Sequence, residues 1–354
     1  MYESLPIKPK KYCSFILENS KPKSIIQNVM SNPQVLCLGE ILFDCLADQL
    51  GQGLEDVESW TLYPGGAPAN VACALVKLGT SAGFIGALGL DELGNSLIQV
   101  LQDASVNTEG VQRYFNVPTR QVYVLRNVYG DRNFAGFGKY ETEKFADTLL
   151  QAELLPELLF QKADFLVLGT LELAYPESNR AVHHALDLAD KYKLKVMLDI
   201  NWRPVFWQNI DIAPQEIRSL FNKVDFVKLA KEEAEWLFDT DDPEKIIYKI
   251  DRAEGILVTD GGNGCAYCLG NNEGQLPAFP VDVIDTTGAG DGFTSGFIHQ
   301  LLTYGVKDLN NTQIAKDIVV YASAVGALTT TKPGAITSQP TAAEVQVFLN
   351  RHFL

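Results

Sequence analysis

The sequence predicts an α/β fold, with a doubly wound, mostly parallel sheet flanked by helices. Short β-rich runs, each ending in polar or small residues, alternate with helical patterns along the chain. The runs are Val35–Glu40, Phe165–Thr170, Lys195–Asn201, Asp225–Leu229 and Gly255–Thr259. Between them, apolar residues recur at the 3.6-residue period of a helix. Regular alternation of this kind favours a parallel sheet that binds ligands beyond the carboxyl ends of its strands.

Signals for helix ends support the same organisation. The apolar positions that begin at Val71 are closed by Gly79, which is the typical residue just after a helix. The last helix is predicted to open after Pro340 with a capping box formed by Thr341 and Glu344. This last helix is expected to be structural.

Length and composition limit the classes of function. We expect residues 33–354 to form a single domain, preceded by an N-terminal extension, residues 1–32, of unknown role. A formal net charge of −15 argues against nucleic acid or an anionic membrane as a partner. No apolar run approaches the roughly 18 residues of a membrane-spanning helix. Six cysteines in a chain of 354 residues do not indicate a disulfide framework, and a cytoplasmic protein is the simplest expectation.

Residues 285–291 read DTTGAGD and run into an apolar helical pattern. A helix that begins here aims the N–H groups of its first turn at whatever lies in front, so Gly288, Ala289 and Gly290 would form an anion hole. Asp291 would lie beside the bound anion. This arrangement suits phosphoryl transfer, because the protein must neutralise developing charge and accept one proton from the attacking hydroxyl. The alternative interpretation is an ordinary helix cap with turn glycines.

The heptapeptide resembles the signature of the ribokinase-like (PfkB-type) carbohydrate kinases, in which its last Asp is the catalytic base. The resemblance extends from about Pro33 to Pro340 and is closest to the fructokinase-like branch. It implies a ribokinase-like fold with a small β-sheet lid, ATP as co-substrate, Mg²⁺, and Asp291 as general base. It also implies K⁺ beside the anion hole, with Asp285 and Thr287 as the local ligands.

Two stretches that interrupt the alternation are the candidate lid. Gln121–Val128 and Arg132–Phe137 flank Gly130-Asp131 and predict a β-hairpin, and Thr61–Tyr63 suggests another short strand. By resemblance, lid strands are inserted around residues 46–63 and 111–137. A lid would exclude water that could otherwise attack the nucleotide in place of the sugar. The alternative is a surface hairpin without function.

The candidate sugar site lies in the N-terminal third. Asp44 follows the first predicted strand, and Gly65, Gly66 and Asn70 lead into a helix. Glycines permit close backbone approach, while an acid and an amide can bind pairs of hydroxyls. By resemblance, these four residues contact the sugar. Two glycines before a helix are by themselves usually a turn, and it is their combination with the distant DTTGAGD segment that makes the pattern specific.

The candidate nucleotide site lies in the C-terminal half, where polar residues follow the later strands. By resemblance, the nucleotide-binding residues are Asn201, Arg203, Lys228, Thr259, Gly261, Gly264 and Ser323. Glu233, and with it Asp199, would reach Mg²⁺ through water. Each of these segments could alone be a turn or a solvated charge pair.

Three departures from the family pattern affect the details. Ala230 stands where the family usually has Asn or Ser near phosphate and metal-bound water, and Ser323 where an Asn often flanks the adenine. Fructokinases tend to carry an Arg within the segment that corresponds to residues 138–145, where Lys139 is the nearest cation here. The departures bear on nucleotide contacts and on the identity of the sugar, and leave the base and the anion hole intact.

The sequence therefore predicts an ATP-dependent kinase for a primary hydroxyl of a sugar, with fructose to fructose 6-phosphate as the favoured reaction. Two alternatives stay open: a kinase for ribose or a sugar acid such as 2-keto-3-deoxygluconate, and a non-catalytic nucleotide- or sugar-binding regulator. An oxidoreductase would require Gly-x-Gly-x-x-Gly after the first strand, where the chain has Gly39-Glu40. Expected partners are the sugar and ATP, with no nucleic acid and no membrane, and exposed lid strands could pair in a homodimer.

Overall fold

The computed structural model describes residues 32–128 and 132–353. The predicted N-terminal extension, apart from Asn32, and the predicted turn at Gly130-Asp131 lie outside the described residues. Two sheets organise the described part, one of nine strands and one of four. The prediction of an α/β fold with a mostly parallel sheet and a separate small sheet is confirmed.

The strands of the large sheet are β1 Val35–Leu38, β4 Ala82–Gly89, β5 Asn107–Tyr114, β8 Phe165–Leu168, β9 Lys195–Asp199, β10 Phe226–Ala230, β11 Gly255–Thr259, β12 Cys265–Leu269 and β13 Asn272–Leu276. The strands of the small sheet are β2 Leu42–Ala47, β3 Trp60–Gly65, β6 Gln121–Arg126 and β7 Arg132–Gly136. The five strands predicted from sequence are all present. Three of them end two residues earlier than predicted, because the polar residues after them belong to loops.

The order of the large sheet is β13-β12-β11-β10-β9-β8-β1-β4-β5. From β1 the chain proceeds through β4 and β5 to one edge, and then returns to β8 and continues through β9, β10 and β11 towards the other edge. All of these neighbours are parallel, and only β12 and β13 are antiparallel. The strand order reverses between β1 and β8, so the crevice at their carboxyl ends is where a ligand is expected.

The α-helices of the described part are α1 Ala67–Leu78, α2 Glu92–Asp103, α3 Glu157–Phe160, α4 Pro176–Tyr192, α5 Ala213–Ser219, α6 Lys231–Phe238, α7 Pro243–Ile247, α8 Ala289–Tyr304, α9 Thr312–Thr329 and α10 Ala342–Phe353. They cover both faces of the large sheet. One apolar cluster includes Val182 of α4 and Leu237 of α6, and a second includes Leu75 of α1 and Phe297 of α8. The central strands are apolar on both sides because helices cover both.

Two predicted helix ends are confirmed. Gly79 follows α1 with a φ of 99°, in the left-handed region that glycine adopts at little cost. Before α10, the Thr341 N–H donates to Oε2 of Glu344 at 2.8 Å, and the Glu344 N–H donates to Oγ1 of Thr341 at 3.3 Å. The predicted capping box is therefore present.

The small sheet has the order β3-β2-β6-β7 and is attached beside the carboxyl end of β1, since β2 begins soon after β1 ends. The segment predicted around 111–137 needs correction, because Asn107–Tyr114 is the edge strand of the large sheet and pairs with β4. The small sheet takes this part of the chain only from Gln121 onwards. Asp44 follows β1, as predicted, and lies within the next strand, β2. In the described part, no helix is both long and apolar enough to cross a membrane.

Candidate active site

Helix α8 begins where the DTTGAGD segment predicts a helix. It starts at Ala289, with Gly288 as N-cap at a φ of 80°, and Asp291 lies in its first turn. The approach to the helix is held by Asp285. Its Oδ1 accepts hydrogen bonds from the N–H and the hydroxyl of Thr287 at 3.0 and 2.7 Å, and its Oδ2 accepts from the Gly334 N–H at 3.0 Å. Asp285 thus joins the turn before α8 to the loop that contains Gly334 through hydrogen bonds.

One of the three N–H groups predicted to form the anion hole already donates within the protein. The Ala289 N–H donates to the carbonyl of Thr286 at 3.2 Å, so Gly288 and Gly290 are the remaining predicted donors. A Cβ atom on Gly290 would lie 2.8 Å from Nζ of Lys228, so the ammonium group lies directly beside this glycine. The ammonium group therefore adds its charge to the positive end of the helix dipole, which favours an anion in front of α8.

Asp291 is bound to the predicted sugar site. Its Oδ2 accepts a hydrogen bond of 2.8 Å from Nδ2 of Asn70, at the beginning of α1. Burial, and then the negative charge of Asp199, raise the pKa of Asp291 to about 6, although Asn70 and Lys228 oppose the shift. A carboxylate with this pKa is ionised at neutral pH and is basic enough to accept a proton.

The four predicted sugar-binding residues lie together. Gly66 has a φ of 107°, and a Cβ atom there would lie 2.5 Å from the carbonyl oxygen of Glu40. A Cβ atom on Gly65 would lie 2.9 Å from Oδ2 of Asp44, so the Asp44 carboxylate is directly beside this glycine. Asn70 donates its N–H to the Gly66 carbonyl at 2.9 Å. Its side-chain Oδ1 is buried and accepts from no group among the described residues, which leaves room for a ligand hydroxyl as donor.

A buried ion pair lies on the nucleotide side of Asp291. Lys228 of β10 is in register with Asp199 of β9, and its Nζ lies 3.1 Å from each Asp199 oxygen. The Thr294 hydroxyl of α8 donates to Oδ2 of Asp199 at 3.1 Å. Burial acts to lower the pKa of Lys228, but Asp199, Glu233 and Asp291 raise it more strongly, so the net shift is upward. The pair ties β9, β10 and α8 together directly behind the anion site.

Glu233, the predicted metal-linked acid, is also fully engaged. Its Oε1 accepts from the Trp202 N–H at 2.6 Å, and its Oε2 accepts from the Ala230 N–H at 2.7 Å. The second bond forms half of a capping box at the start of α6. The other half is missing, because alanine has no side-chain oxygen to accept the N–H of Glu233, as Asn or Ser would. Burial raises the pKa of Glu233, and Lys228 partly offsets this. No group of three or more His, Cys, Asp or Glu residues in the described ranges is arranged to hold a metal directly.

The other predicted nucleotide residues fall into two places. Thr259, Gly261 and Gly264 form the turn from β11 to β12, and Ser323 of α9 lies against Cys265 at the start of β12, with 3.6 Å between Oγ and Sγ. Asn201 and Arg203 lie in the loop after β9. Asn201 has a positive φ of 40°, and the exposed Arg203 side chain donates to the carbonyl of Trp202 at 2.9 Å.

Buried acids beside the sugar site were not assigned from sequence. Glu40 follows β1 and Glu172 follows β8, on the two sides of the point where the strand order reverses. Oε1 of Glu40 accepts from the Ala67 N–H at 2.8 Å, whereas neither Glu172 oxygen has a hydrogen-bond partner among the described residues. Burial raises the pKa of both carboxyls, and the charge of Glu40 raises that of Glu172 further. The signal in the sequence was that each acid stands at or just after the end of a predicted strand, Val35–Glu40 or Phe165–Thr170.

A buried cation was also missed. Arg120 is 1% exposed and binds Asp147, with 2.5 Å from Nε to Oδ2 and 2.9 Å from Nη2 to Oδ1. Nη2 also donates to the Tyr175 hydroxyl at 3.3 Å, and the guanidinium lies 4.6 Å from the ring centre of Phe145. Lys139, the nearest cation in the sequence, instead lies over the ring of Tyr140. The buried cation on this side thus comes from the residue immediately before β6, the first strand of the hairpin.

The chain is similar in sequence to known carbohydrate kinases. Residues 32–342 match the pfkB family carbohydrate kinase family. The chain is 33% identical over 319 residues to "Probable fructokinase-5" of Arabidopsis thaliana, covering 89% of this chain and 97% of that one.

Solved structures of fructokinases share the fold. A Xylella fastidiosa fructokinase with bound ATP is 28% identical at a TM-score of 0.82, covering 90% of this chain and 99% of that one. A Vibrio cholerae fructokinase double mutant with fructose, ADP and potassium ion bound is 27% identical at a TM-score of 0.76, with 90% and 99% covered. The predicted ribokinase-like fold is confirmed, and the chain belongs to the PfkB family of carbohydrate kinases.

Proposed function

We propose that this protein is an ATP-dependent sugar kinase that transfers the γ-phosphoryl group to a primary hydroxyl, with fructose as its substrate. The observation that carries the proposal is the contact between Asn70 and Asp291. It joins the sugar-binding loop to the first turn of α8 and leaves a buried acceptor, Oδ1 of Asn70, beside a carboxylate of raised pKa. One sugar hydroxyl could donate its hydrogen bond to Oδ1 of Asn70. The attacking primary hydroxyl would instead donate to Asp291 and lose its proton to that carboxylate.

In this mechanism Asp44, Gly65, Gly66 and Asn70 orient the sugar. Asp291 accepts the proton as the hydroxyl oxygen attacks, and the N–H groups of Gly288 and Gly290 stabilise charge on the transferred phosphoryl group. The Lys228 ammonium, close to Gly290, strengthens the same field. Because Asp291 must be ionised to act as base, kcat/KM should fall as the pH drops below about 6.

The donor set fits Mg²⁺ only as an ion held by the nucleotide. Both oxygens of Glu233 accept main-chain hydrogen bonds, and both Asp199 oxygens are bound by Lys228. Mg²⁺ usually keeps several waters and takes its remaining ligands from phosphates and one or two carboxylates. Glu233 and Asp199 would therefore hold its waters, and the ion would supply neutralisation of phosphate charge.

Asp285 and Thr287 are the proposed ligands of a K⁺ ion beside the anion hole. Asp285 accepts hydrogen bonds from Thr287 and from the Gly334 N–H, and together they form a compact oxygen-rich turn before α8. A dependence of turnover on K⁺ over Na⁺ would support K⁺ at this turn.

The charge of the sugar site favours a neutral sugar over a sugar acid. Glu40 is buried and binds the N–H of Ala67, the residue after Gly66. Arg120, the buried cation on this side, is already bound to Asp147. A carboxylated substrate would find this guanidinium already paired, and its negative charge would be repelled by Asp291, which is ionised at neutral pH. Fructose is further supported by the fructokinase relatives, and the acidic surroundings speak against 2-keto-3-deoxygluconate.

The test is coupled ADP formation with MgATP across fructose, glucose, ribose and 2-keto-3-deoxygluconate, with NMR identification of the phosphorylated carbon. We expect the highest kcat/KM with fructose and a product phosphorylated at C6. Highest activity with the sugar acid would contradict the proposed substrate. ATP binding without sugar-dependent ADP formation on a wider sugar panel would instead favour the non-catalytic regulator.

A further inference from the structure

We propose that Lys77 is a positioning residue for the anion hole, acting as a built-in cation that fixes the turn of residues 335–339 against the N-terminus of α8. The role in turnover rests on the proposed function; the role in positioning is a property of the fold and can be tested separately. Lys77 lies in the last turn of α1, seven positions after Asn70 on the same helix.

The three N–H donors of the Lys77 ammonium group each have a carbonyl acceptor. Nζ donates to three main-chain carbonyls, those of Ile336 at 2.9 Å, Thr337 at 3.2 Å and Gln339 at 3.2 Å. A lysine ammonium has three N–H donors and no acceptor, so three converging carbonyls satisfy it completely. An apolar residue at this position would leave three carbonyls of one turn without their common donor.

The turn that Lys77 holds is in contact with the N-cap of α8. Gln339 is 3% exposed, and its Nε2 donates to the carbonyls of Ala335 at 3.0 Å and Gly288 at 3.3 Å. A Cβ atom on Gly288 would lie 3.0 Å from Cα of Ala335. The position of Gly288, and with it the direction of the first N–H groups of α8, is therefore set through Gln339 by the turn that Lys77 fixes.

Helix α1 consequently holds the start of α8 from two sides. At the beginning of α1, Asn70 binds the base Asp291, and in its last turn Lys77 fixes the turn behind Gly288. The base and the anion hole would thus keep their spacing through one rigid helix. Because a displacement of about 1 Å in a catalytic constellation can cost about 100-fold in rate, a loss of this link should reduce kcat more than sugar binding.

The experiment compares Lys77→Met, which keeps the apolar stem, with Lys249→Met as a matched control. Lys249 also donates to a main-chain carbonyl, that of Phe238 at 2.7 Å, but at the end of α6 remote from Glu233. We expect Lys77→Met to lower kcat by about 10- to 100-fold, with the KM for sugar within about threefold. Lys249→Met should keep the kcat of the wild type. A Lys77→Met enzyme with wild-type kcat would overturn the proposal.

Chemical rescue separates the ammonium from the packing of the stem. In Lys77→Ala, propylammonium should restore part of the lost kcat, whereas propanol, of similar size but without charge, should not. Equal rescue by both compounds would overturn the role of the ammonium group. If the Lys77 variants fail to fold, Gln339→Met tests the other end of the same link, and wild-type kcat in that variant would contradict the proposal.

Hydrogen exchange tests positioning in a way that does not depend on turnover. Within residues 288–292, the N–H groups of Ala289 and Gly292 are hydrogen-bonded, to the carbonyls of Thr286 and Gly288. These two amides should exchange about tenfold faster in Lys77→Met than in the wild type, and their exchange should be unchanged in Lys249→Met. If the wild-type protein consumed no ATP with any sugar, the proposed function would be wrong. The exchange measurement would still test whether Lys77 positions the start of α8. Unchanged exchange at residues 288–292 in Lys77→Met would overturn the inference.

Discussion

The acids at the two ends of the candidate active site are held in different ways. At the nucleotide end, Asp199 is bound by Lys228 and Thr294, and both oxygens of Glu233 accept main-chain N–H groups. At the sugar end, Glu172 is 1% exposed and has no hydrogen-bond donor within the described part of the chain. The nucleotide end satisfies its carboxylates with donors of the protein. The sugar end buries one carboxyl group, that of Glu172, without a donor in the described ranges, and burial raises its pKa.

Because of this difference, substitutions at the nucleotide end should mainly affect the stability of the protein, and substitutions at the sugar end should mainly affect ligand binding. A network whose members satisfy one another is assembled before any ligand arrives, so its disruption should appear first in the free energy of unfolding. A site with unsatisfied acceptors such as Oδ1 of Asn70 is incomplete without its ligand, so substitutions there should appear first in sugar affinity. The predictions below test this division.

The largest effect on stability is expected for Lys228→Met. It leaves the buried carboxylate of Asp199 without its cation, and breaking a buried ion pair typically costs about 3–5 kcal/mol of unfolding free energy. Lys245→Met is the control, because Lys245 forms an exposed ion pair with Asp242, which should contribute less than about 1 kcal/mol. Urea unfolding at pH 7 measures both. A loss below about 1 kcal/mol for Lys228→Met would mean that the nucleotide end does not depend on this pair.

Asp44→Ala should act on sugar affinity instead. Loss of a charged acceptor for sugar hydroxyls should weaken sugar binding by about 1.5–3 kcal/mol and leave ATP binding within about 0.5 kcal/mol. Asp48→Ala is the control, since Asp48 is exposed and accepts a hydrogen bond from Thr61. Isothermal titration of each variant with both ligands decides. Equal losses for sugar and ATP would assign Asp44 a structural role.

The pH dependence of stability should reveal the buried acids. The pKa of Glu172 is raised in the folded protein above its ordinary value of 4.5, so above pH 4.5 the folded state binds more protons than the unfolded state. Stability should therefore fall as the pH rises from about 4.5 through the raised pKa, by up to about 1.4 kcal/mol per pH unit for each such proton. Glu172→Gln should reduce this slope by close to the contribution of one proton, about 1.4 kcal/mol per pH unit. A slope equal to that of the wild type would show that Glu172 is ionised.

The smallest effect is expected for removal of residues 1–31, because the candidate site is built from residues after Val35. Both Michaelis constants should stay within about threefold, equivalent to less than about 0.7 kcal/mol. Asn32 should be retained, since it accepts a hydrogen bond from Lys162 at 3.0 Å. A larger rise in the KM for sugar would assign the extension a role at the sugar end.

The sequence was most informative where function is concentrated in one short segment. The DTTGAGD segment predicted the helix start and Asp291 in its first turn, because glycine content and apolar period are local properties. The ends of α1 and α10 followed from local caps in the same way. The strand Asn107–Tyr114 was not predicted, and its last residues fell in the range 111–137 expected for the lid. It lies at an edge of the large sheet and lacks the continuous apolar run of a central strand.

Features that depend on long-range placement could not be read from the sequence. Arg120 and Asp147 are ordinary charged residues in the chain and become a buried pair only when the small sheet packs on the large one. Lys77 meets carbonyls more than 250 positions away. Ala289 was predicted as an anion donor, but its N–H is used in a turn, a detail of backbone geometry that no residue pattern specifies.

The central claim is that Asp291 takes the proton of a sugar hydroxyl, and the turnover of Asp291→Asn tests it most directly. The amide keeps the shape of the side chain and can still accept from Asn70, but it cannot act as a base. Sugar-dependent ADP formation should fall by about 10²–10⁴-fold with little change in sugar affinity. Thermal stability at pH 7 should hold or rise slightly, since the pKa of Asp291 is raised by burial from 3.8 to about 6 and its ionised form disfavours folding. Near wild-type turnover that still depends on sugar would contradict the mechanism, because an asparagine serves about as well as an aspartate in a helix cap but not in proton transfer.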